Sequence, residues 1–188
     1  MKYTLKFRIW HWLNAIVVLG LLATFFLRKT FLSWKTNSEI IMTKLSEFGV
    51  EITAAQAKVL AKAIRAEMWE WHIIFGYALA FLILYRIYLF FIDTSKTASF
   101  NSLDLHHKVV RVSYYMIYAT LIFMSISGLS IHFDKELHIT KEFINNIKEL
   151  HELIAYVLVY FVPLHIAGVF VAENKNEAGL VSSMISGK

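Results

Sequence analysis

The chain has 188 residues, of which 57% are hydrophobic and only 18% are charged, with a formal net charge of +5. A soluble globular domain is about half apolar and about a quarter charged, so this composition excludes an ordinary soluble protein and indicates a polytopic membrane protein. The sequence contains no cysteine, which excludes disulfide bonds, cysteine-ligated iron–sulfur clusters and covalently attached c-type haem. Any redox centre must therefore be held by the eight histidines.

Four apolar runs are each near the length of about 20 residues that a helix needs to cross a bilayer. They cover residues about 9–27, 71–92, 109–131 and 153–172. Because backbone groups inside hydrocarbon must form hydrogen bonds within their own segment, each run is predicted to be a helix. The first run is longer than the apolar core of a signal peptide, so we interpret it as a transmembrane helix.

The connection between the first two spans carries its own helix signals. Asn37 and Ser38 precede "EIIMTKLSEF" and are predicted to cap a helix that Gly49 ends. The segment "TAAQ", Thr53–Gln56, matches a capping box, and mostly good helix formers follow it without a breaker. Residues about 37–70 are therefore predicted to form an extramembrane helical hairpin whose second arm continues as the second transmembrane helix.

The predicted fold is an all-α membrane protein, a four-transmembrane-helix up-down bundle in which residues 1–188 form a single membrane domain. Four spans place both termini on one side of the membrane. Basic residues including Lys2, Lys96 and Lys188 make the net charge of that side positive, whereas the opposite side is balanced by acidic residues. The termini are therefore predicted to be cytoplasmic.

Four histidines lie in the predicted spans at two depths. His11 lies early in the first span and His165 late in the fourth, both near the side of the termini. His72 and His151 open the second and fourth spans, near the opposite side. The fourteen residues from His151 to His165 rise about 21 Å and equal two heptads, so both side chains point along one seam of a left-handed bundle. Depth thus predicts an inner pair and an outer pair.

Two neutral imidazoles on opposite sides of an iron are the axial ligands of a six-coordinate b-type haem. The sequence therefore predicts two haem b groups, an inner one held by His11 and His165 and an outer one held by His72 and His151. For one histidine alone, an interhelical hydrogen bond is an equally good explanation. Four histidines at two matched depths favour the haem interpretation.

Further residues are candidates for haem propionates or for packing against the ring. They are Arg8, Lys108 and Arg111 for the inner haem, Arg65 for the outer haem, and the glycines Gly76 and Gly168 close to ligand histidines. Close helix packing is an alternative role for the glycines, and interfacial charge is an alternative for the basic residues.

Pro163 and two neighbouring histidines are further residues with a predicted role. Pro163, the only proline, lies two residues before His165 and is predicted to bend the helix there and to aim the imidazole. His106 and His107 are interpreted as solvated surface, with a hydrogen bond to a quinone carbonyl or a propionate as the alternative.

Three segments carry a family resemblance: "RIWHWLNA" in the first span, "EWHIIFGY" in the second and "LHELIAYVLVYFVPLH" in the fourth. They resemble the bacterial cytochrome b561 and nickel–iron hydrogenase b-type cytochrome family, which includes membrane subunits of formate dehydrogenases. The closing "GLVSSMISGK" is similar to the tail of hydrogenase-type members. The resemblance implies a four-helix bundle that holds two haem b groups on His11, His72, His151 and His165 and exchanges electrons with quinone.

The resulting functional prediction is an electron-transfer protein of the bacterial cytoplasmic membrane. It connects an outer-side redox protein, or a hydrogenase or dehydrogenase subunit, with the quinone pool, and its other contacts are membrane lipid and a second copy in a homo-oligomer. Nucleic acid is not an expected partner. Two alternatives stay open: a standalone superoxide:quinone oxidoreductase, with Lys62 and Arg65 steering the anion, and a histidine-lined divalent metal transporter.

Overall fold

The computed structural model describes residues 3–92, 99–175 and 178–187. Within these ranges the regular structure is helical, apart from turns, and the α-helices are α1 Leu5–Lys29, α2 Trp34–Glu47, α3 Ala54–Ile92, α4 Leu105–His132, α5 Lys141–Lys175 and α6 Leu180–Ile185. A 3₁₀ turn covers Phe100–Ser102. By length and composition α1, α3, α4 and α5 can each cross a membrane. The predicted all-α membrane class is confirmed.

Each of the four long helices contains one predicted span and extends beyond it. The largest extensions are in α3, with 39 residues, and in α5, with 35 residues. Helix α5 begins at Lys141, well before the predicted fourth span, and runs through Pro163 without interruption. Lys2, Lys96 and Lys188, which support the predicted orientation, lie outside the described residues, so the orientation stays a prediction.

The predicted start of α3 is confirmed by reciprocal hydrogen bonds. The backbone N–H of Thr53 donates to Gln56 Oε1 at 2.8 Å, and the backbone N–H of Gln56 donates to Thr53 Oγ1 at 3.3 Å. This is the capping box that the segment "TAAQ" predicts, and it satisfies two backbone donors that a helix start leaves without partners. From there α3 continues unbroken into the second span, as expected.

The predicted cap of α2 is wrong. The helix begins at Trp34 with Ser33 in the N-cap position, so Asn37 and Ser38 lie inside it. The Ser38 side chain is buried, and its hydroxyl donates to the backbone oxygen of Trp34. Serine inside a helix commonly forms this hydrogen bond to the residue four positions earlier. The predicted end is confirmed, because Gly49 follows the helix with a φ of +73° in the left-handed region that glycine favours.

The chain divides into two compact units, Met1–Ile16 with Tyr77–Lys188, and Val17–Gly76. In the first unit α4 packs against α5, and Leu79, Leu121 and Leu158 are buried. The prediction of a single membrane domain stays a prediction.

The second unit contains the end of α1, all of α2 and the first part of α3. Ala57 and Ala61 on α3 are fully buried, and Lys58 Nζ lies 4.6 Å from the centre of the Trp34 ring on α2. A Cβ added to Gly20 would come within 2.8 Å of the Phe75 ring, so the glycine permits α1 and α3 to approach closely here.

The C-terminal helix α6 is held at both ends within the first unit. The Glu173 carboxylate accepts hydrogen bonds from the backbone N–H groups of Gly179 at 2.9 Å and Val181 at 2.8 Å. At the other end, Arg8 Nη1 donates to Ile185 O at 3.1 Å, and the guanidinium is buried. No separate helix was predicted for this tail.

Candidate functional site

His11 and His165 lie together in the first unit, as their depth predicts. Helices α1 and α5 bring the two ring centroids to 6.3 Å, with an angle of 51° between the ring planes. A histidine–metal bond is about 2 Å long and the ring centroid lies about 1 Å further, so two imidazoles on opposite sides of one metal have centroids about 6 Å apart. The observed distance therefore fits two axial ligands of one iron.

Two buried polar atoms on α1 support a ligand at this place. Nδ1 of His11 and Oδ1 of Asn14 are buried and have no hydrogen-bond partner among the described residues. The two residues are three apart, so they share one face of the helix. Buried polar groups nearly always have partners. Asn14 was not a candidate from the sequence, although its spacing from His11 is a usable signal.

The surroundings of His165 suit a flat ring. Phe161, one turn earlier on α5, stacks on the imidazole with centroids 5.5 Å apart and planes at 12°. Gly168 follows by three residues, and a Cβ added there would meet no atom within 4 Å. The same is true of Gly76 in the second unit. Both predicted glycines therefore border open space, and their role in packing against a porphyrin stays a prediction.

His72, in the second unit, is held by a threonine hydroxyl on α1. Thr24 Oγ1 lies 2.7 Å from His72 Nδ1 and also 2.7 Å from the backbone oxygen of Leu21. A hydroxyl has one proton, and the Leu21 oxygen is only an acceptor, so Thr24 donates to Leu21 and accepts the Nδ1–H of His72. The lone pair is then on Nε2, the form of imidazole that binds a metal.

His151, in the first unit, has the same arrangement on different helices. Ser127 Oγ on α4 lies 2.7 Å from His151 Nδ1 and donates to the backbone oxygen of Phe123 at 2.7 Å. A Cβ added to Gly128 would lie 3.4 Å from His151 Cε1, so the glycine lets the imidazole pack close to α4. The two predicted outer ligands thus share one kind of hydrogen bond, and neither hydroxyl was identified from the sequence.

One arginine of the second unit, Arg28, lies near His72, and a second, Arg65, lies near Arg28. Arg28, in the last turn of α1, interacts electrostatically with both His72 and Arg65, and its guanidinium lies 5.9 Å from the centre of the Trp69 ring. Nε of Arg65 is buried without a hydrogen-bond partner among the described residues. Like charges held close together favour an anion beside them. A haem propionate fits, and Arg28 adds to the predicted residue Arg65.

The basic candidates at the inner side are less distinctive. Arg8 uses Nη1 for α6, while its Nε is buried without a partner among the described residues. Lys108 and Arg111 lie half-buried in the first two turns of α4. Their propionate roles stay predictions, as do the ligand roles of the four histidines.

The neighbouring histidines at the start of α4 are exposed, as interpreted from the sequence. His106 and His107 both lie on the surface, and His107 Nδ1 is bonded to the Asp104 carboxylate. This hydrogen bond holds the pKa of the Asp104 carboxyl below its usual value. His107 is therefore already engaged in a surface contact.

Over residues 3–92, 99–175 and 178–187, no three His, Cys, Asp or Glu side chains are grouped as a metal ion would need. Such a group is what the transporter hypothesis requires. His11 and His165 form a pair of neighbouring imidazoles, with ring centroids 6.3 Å apart.

A family model described as prokaryotic cytochrome b561 matches residues 2–187, which is nearly the whole chain. No significant match was found among curated proteins or among solved structures. The matched family consists of membrane proteins that bind b-type haem and transfer electrons. This integral membrane protein, with its four apolar helices, belongs to the prokaryotic cytochrome b561 family.

Proposed function

We propose that this protein is a di-haem b-type cytochrome that carries electrons across the bacterial cytoplasmic membrane between an outer-side redox partner and the quinone pool. The observation that carries the proposal is the 6.3 Å separation of the His11 and His165 ring centroids. Membrane electron transfer is a property of the family. The count of two haems, the quinone and the outer partner are parts of the proposal.

The chain's own residues have separable tasks in this function. Haem b supplies one-electron oxidation and reduction when it is bound. His11 and His165 hold the inner group, and the apolar helices around them exclude water and ions. His72 and His151 hold the outer group, which their matched depth and their matching hydroxyl hydrogen bonds support. Full reduction of a quinone takes two electrons and two protons, so the chain delivers electrons to it in two steps.

The segment between α1 and the second span is proposed as the docking region for the partner. The apolar side chains Phe48 and Val59 of this segment are 79% and 67% exposed. The proposed occupant is a periplasmic redox protein or a hydrogenase or dehydrogenase subunit. The exposed apolar residues Phe48 and Val59 of this chain support a protein as the partner.

Electron flow across a vesicle membrane tests the proposal. Purified protein is placed in liposomes with a membrane-impermeant oxidant inside and a membrane-impermeant reductant outside. A parallel set of liposomes contains quinone as the electron acceptor. We expect wild type to transfer electrons inward and to reduce quinone, His165→Ala and His151→Ala each to stop transfer, and His106→Ala to transfer normally. Equal flow in wild type and both ligand variants would refute the proposal.

A second function is favoured by the arginine pair. Arg28 and Arg65 form a cationic region near His72, and superoxide is a small anion that such a region attracts. In this function the protein oxidises superoxide to oxygen and passes the electron to quinone without a partner. Purified protein given superoxide and quinone distinguishes the two functions. Fast turnover that falls in Arg65→Gln supports the standalone enzyme, and turnover no faster than the uncatalysed reaction supports the partner-dependent cytochrome.

A further inference from the structure

We infer that Thr24 and Ser127 are positioning residues that fix the tautomer of His72 and His151, and that they thereby lower the redox potential of the outer haem. The inference rests on the proposed function, because it assumes that these two histidines hold one haem. It adds two residues that sequence spacing does not reveal.

The two hydroxyls have the same three properties. Thr24 and Ser127 are buried, with 5% and 4% of their surfaces exposed. Each lies on a different helix from the histidine that it contacts, Thr24 on α1 and Ser127 on α4. Each gives its proton to a backbone oxygen of its own helix, so the histidine Nδ1–H must be the donor in the 2.7 Å contact.

An ordinary role for such hydroxyls is a hydrogen bond to their own helix and nothing more. Ser130 on α4 shows that role, since its Oγ donates to Ile126 O at 2.9 Å in an exposed position. Thr24 and Ser127 differ from Ser130 because their hydroxyls are buried and each lies against a histidine. Since each hydroxyl donates its proton to a backbone oxygen, it can only accept from that histidine. Two independent pairs of helices converge on this arrangement, which favours a role for it.

The chemical consequence follows from the second hydrogen bond of a metal-bound imidazole. An acceptor at Nδ1–H makes the ring a more basic ligand and holds its orientation. A more basic ligand stabilises the oxidised iron, so the potential of that haem falls. Nδ1 of His11, in the inner pair, is buried without a partner among the described residues. The hydrogen bonds to Thr24 and Ser127 therefore lower the potential of the haem that His72 and His151 hold.

The test measures the two haem midpoint potentials in purified full-length protein by redox-titrated absorbance, with haem counted per chain. The variants are Thr24→Val and Ser127→Ala, with Thr24→Ser as the conservative rescue. Ser125→Ala is the control, because Ser125 is also buried on α4 but its Oγ has no hydrogen-bond partner among the described residues. We expect Thr24→Val and Ser127→Ala each to raise one midpoint potential and leave the other unchanged, while Thr24→Ser and Ser125→Ala resemble wild type.

Potentials that move no more in Thr24→Val and Ser127→Ala than in Ser125→Ala would overturn the inference. Loss of one haem from Thr24→Val with retention in Thr24→Ser would support it, because the hydroxyl would then be needed to present His72. If Thr24→Val does not fold, Ser127→Ala decides the result alone. A wild-type protein without haem would refute the proposed function, whereas two haems with unmoved potentials would refute only this inference.

Discussion

Gly168 is predicted to leave room for a ring beside His165, because glycine has no side chain. It lies three residues after His165 on α5, and a Cβ added there would meet no other atom within 4 Å. If this space receives the porphyrin, Gly168→Leu fills it with side-chain atoms and excludes the ring. We expect haem content to fall toward one per chain, with the circular dichroism of the helices unchanged.

Ala167→Leu is the matched control for Gly168→Leu, because Ala167 is also exposed on α5 but points about 100° away around the helix. Haem content in Ala167→Leu should equal that of wild type. An equal haem content in all three proteins would show that Gly168 faces lipid and not the cofactor.

At the residue scale, the sequence predicts the histidines better than the side chains around them. Depth along a span brings His11 and His165 to one level, and the structure places their rings together. Thr24 and Ser127 were not predicted, because their role depends on which faces of two helices meet, and the sequence of one helix does not show this. A hydroxyl in an apolar span also has the simpler role of bonding its own backbone.

Helix α6 has six residues, and a helix of this length is not stable by itself in water. It depends on the Glu173 carboxylate, which accepts hydrogen bonds from the backbone of Gly179 and Val181. We predict that Glu173→Ala releases the tail, so that amide hydrogen exchange across residues 178–187 becomes at least about tenfold faster.

Glu142→Ala is the control for this element, since Glu142 is an exposed carboxylate in the first turn of the same helix α5. Its exchange across the tail should match wild type. Unchanged exchange in Glu173→Ala would mean that Arg8 and the apolar contacts of α6 hold the tail without this carboxylate.

Local signals explain which elements were predicted. The start of α3 was predicted correctly because a capping box is contained within four residues, Thr53–Gln56. The predicted start of α2 was wrong. Ser38 bonds the backbone of its own helix, and Trp34, the first helical residue, contacts Lys58 of α3, which the sequence of α2 alone does not show. The tail helix α6 was not predicted, because the hydrogen bonds that hold it come from outside its own segment. Arg8 is near the other end of the chain, and Glu173 lies on α5.

At the scale of the whole molecule, span lengths predict the membrane class but charge predicts the orientation only through small differences. The protein has no cysteine, so single introduced thiols report orientation without any background label. We predict that Lys44→Cys, exposed on α2, reacts with a membrane-impermeant maleimide in intact cells. Lys6→Cys, exposed near the N-terminus, should react only after the membrane is opened. The reverse pattern would contradict cytoplasmic termini.

The central claim is that two histidine pairs hold two haems, one near each membrane face. The most direct measurement is haem per chain in redox-titrated spectra of purified wild type, His165→Ala and His151→Ala, with His106→Ala as the control. We expect two haems in wild type and in His106→Ala. We expect one in each of the other variants, with the inner haem lost from His165→Ala and the outer haem lost from His151→Ala. A colourless wild type, a single haem, or loss of both haems from one folded variant would contradict the central claim.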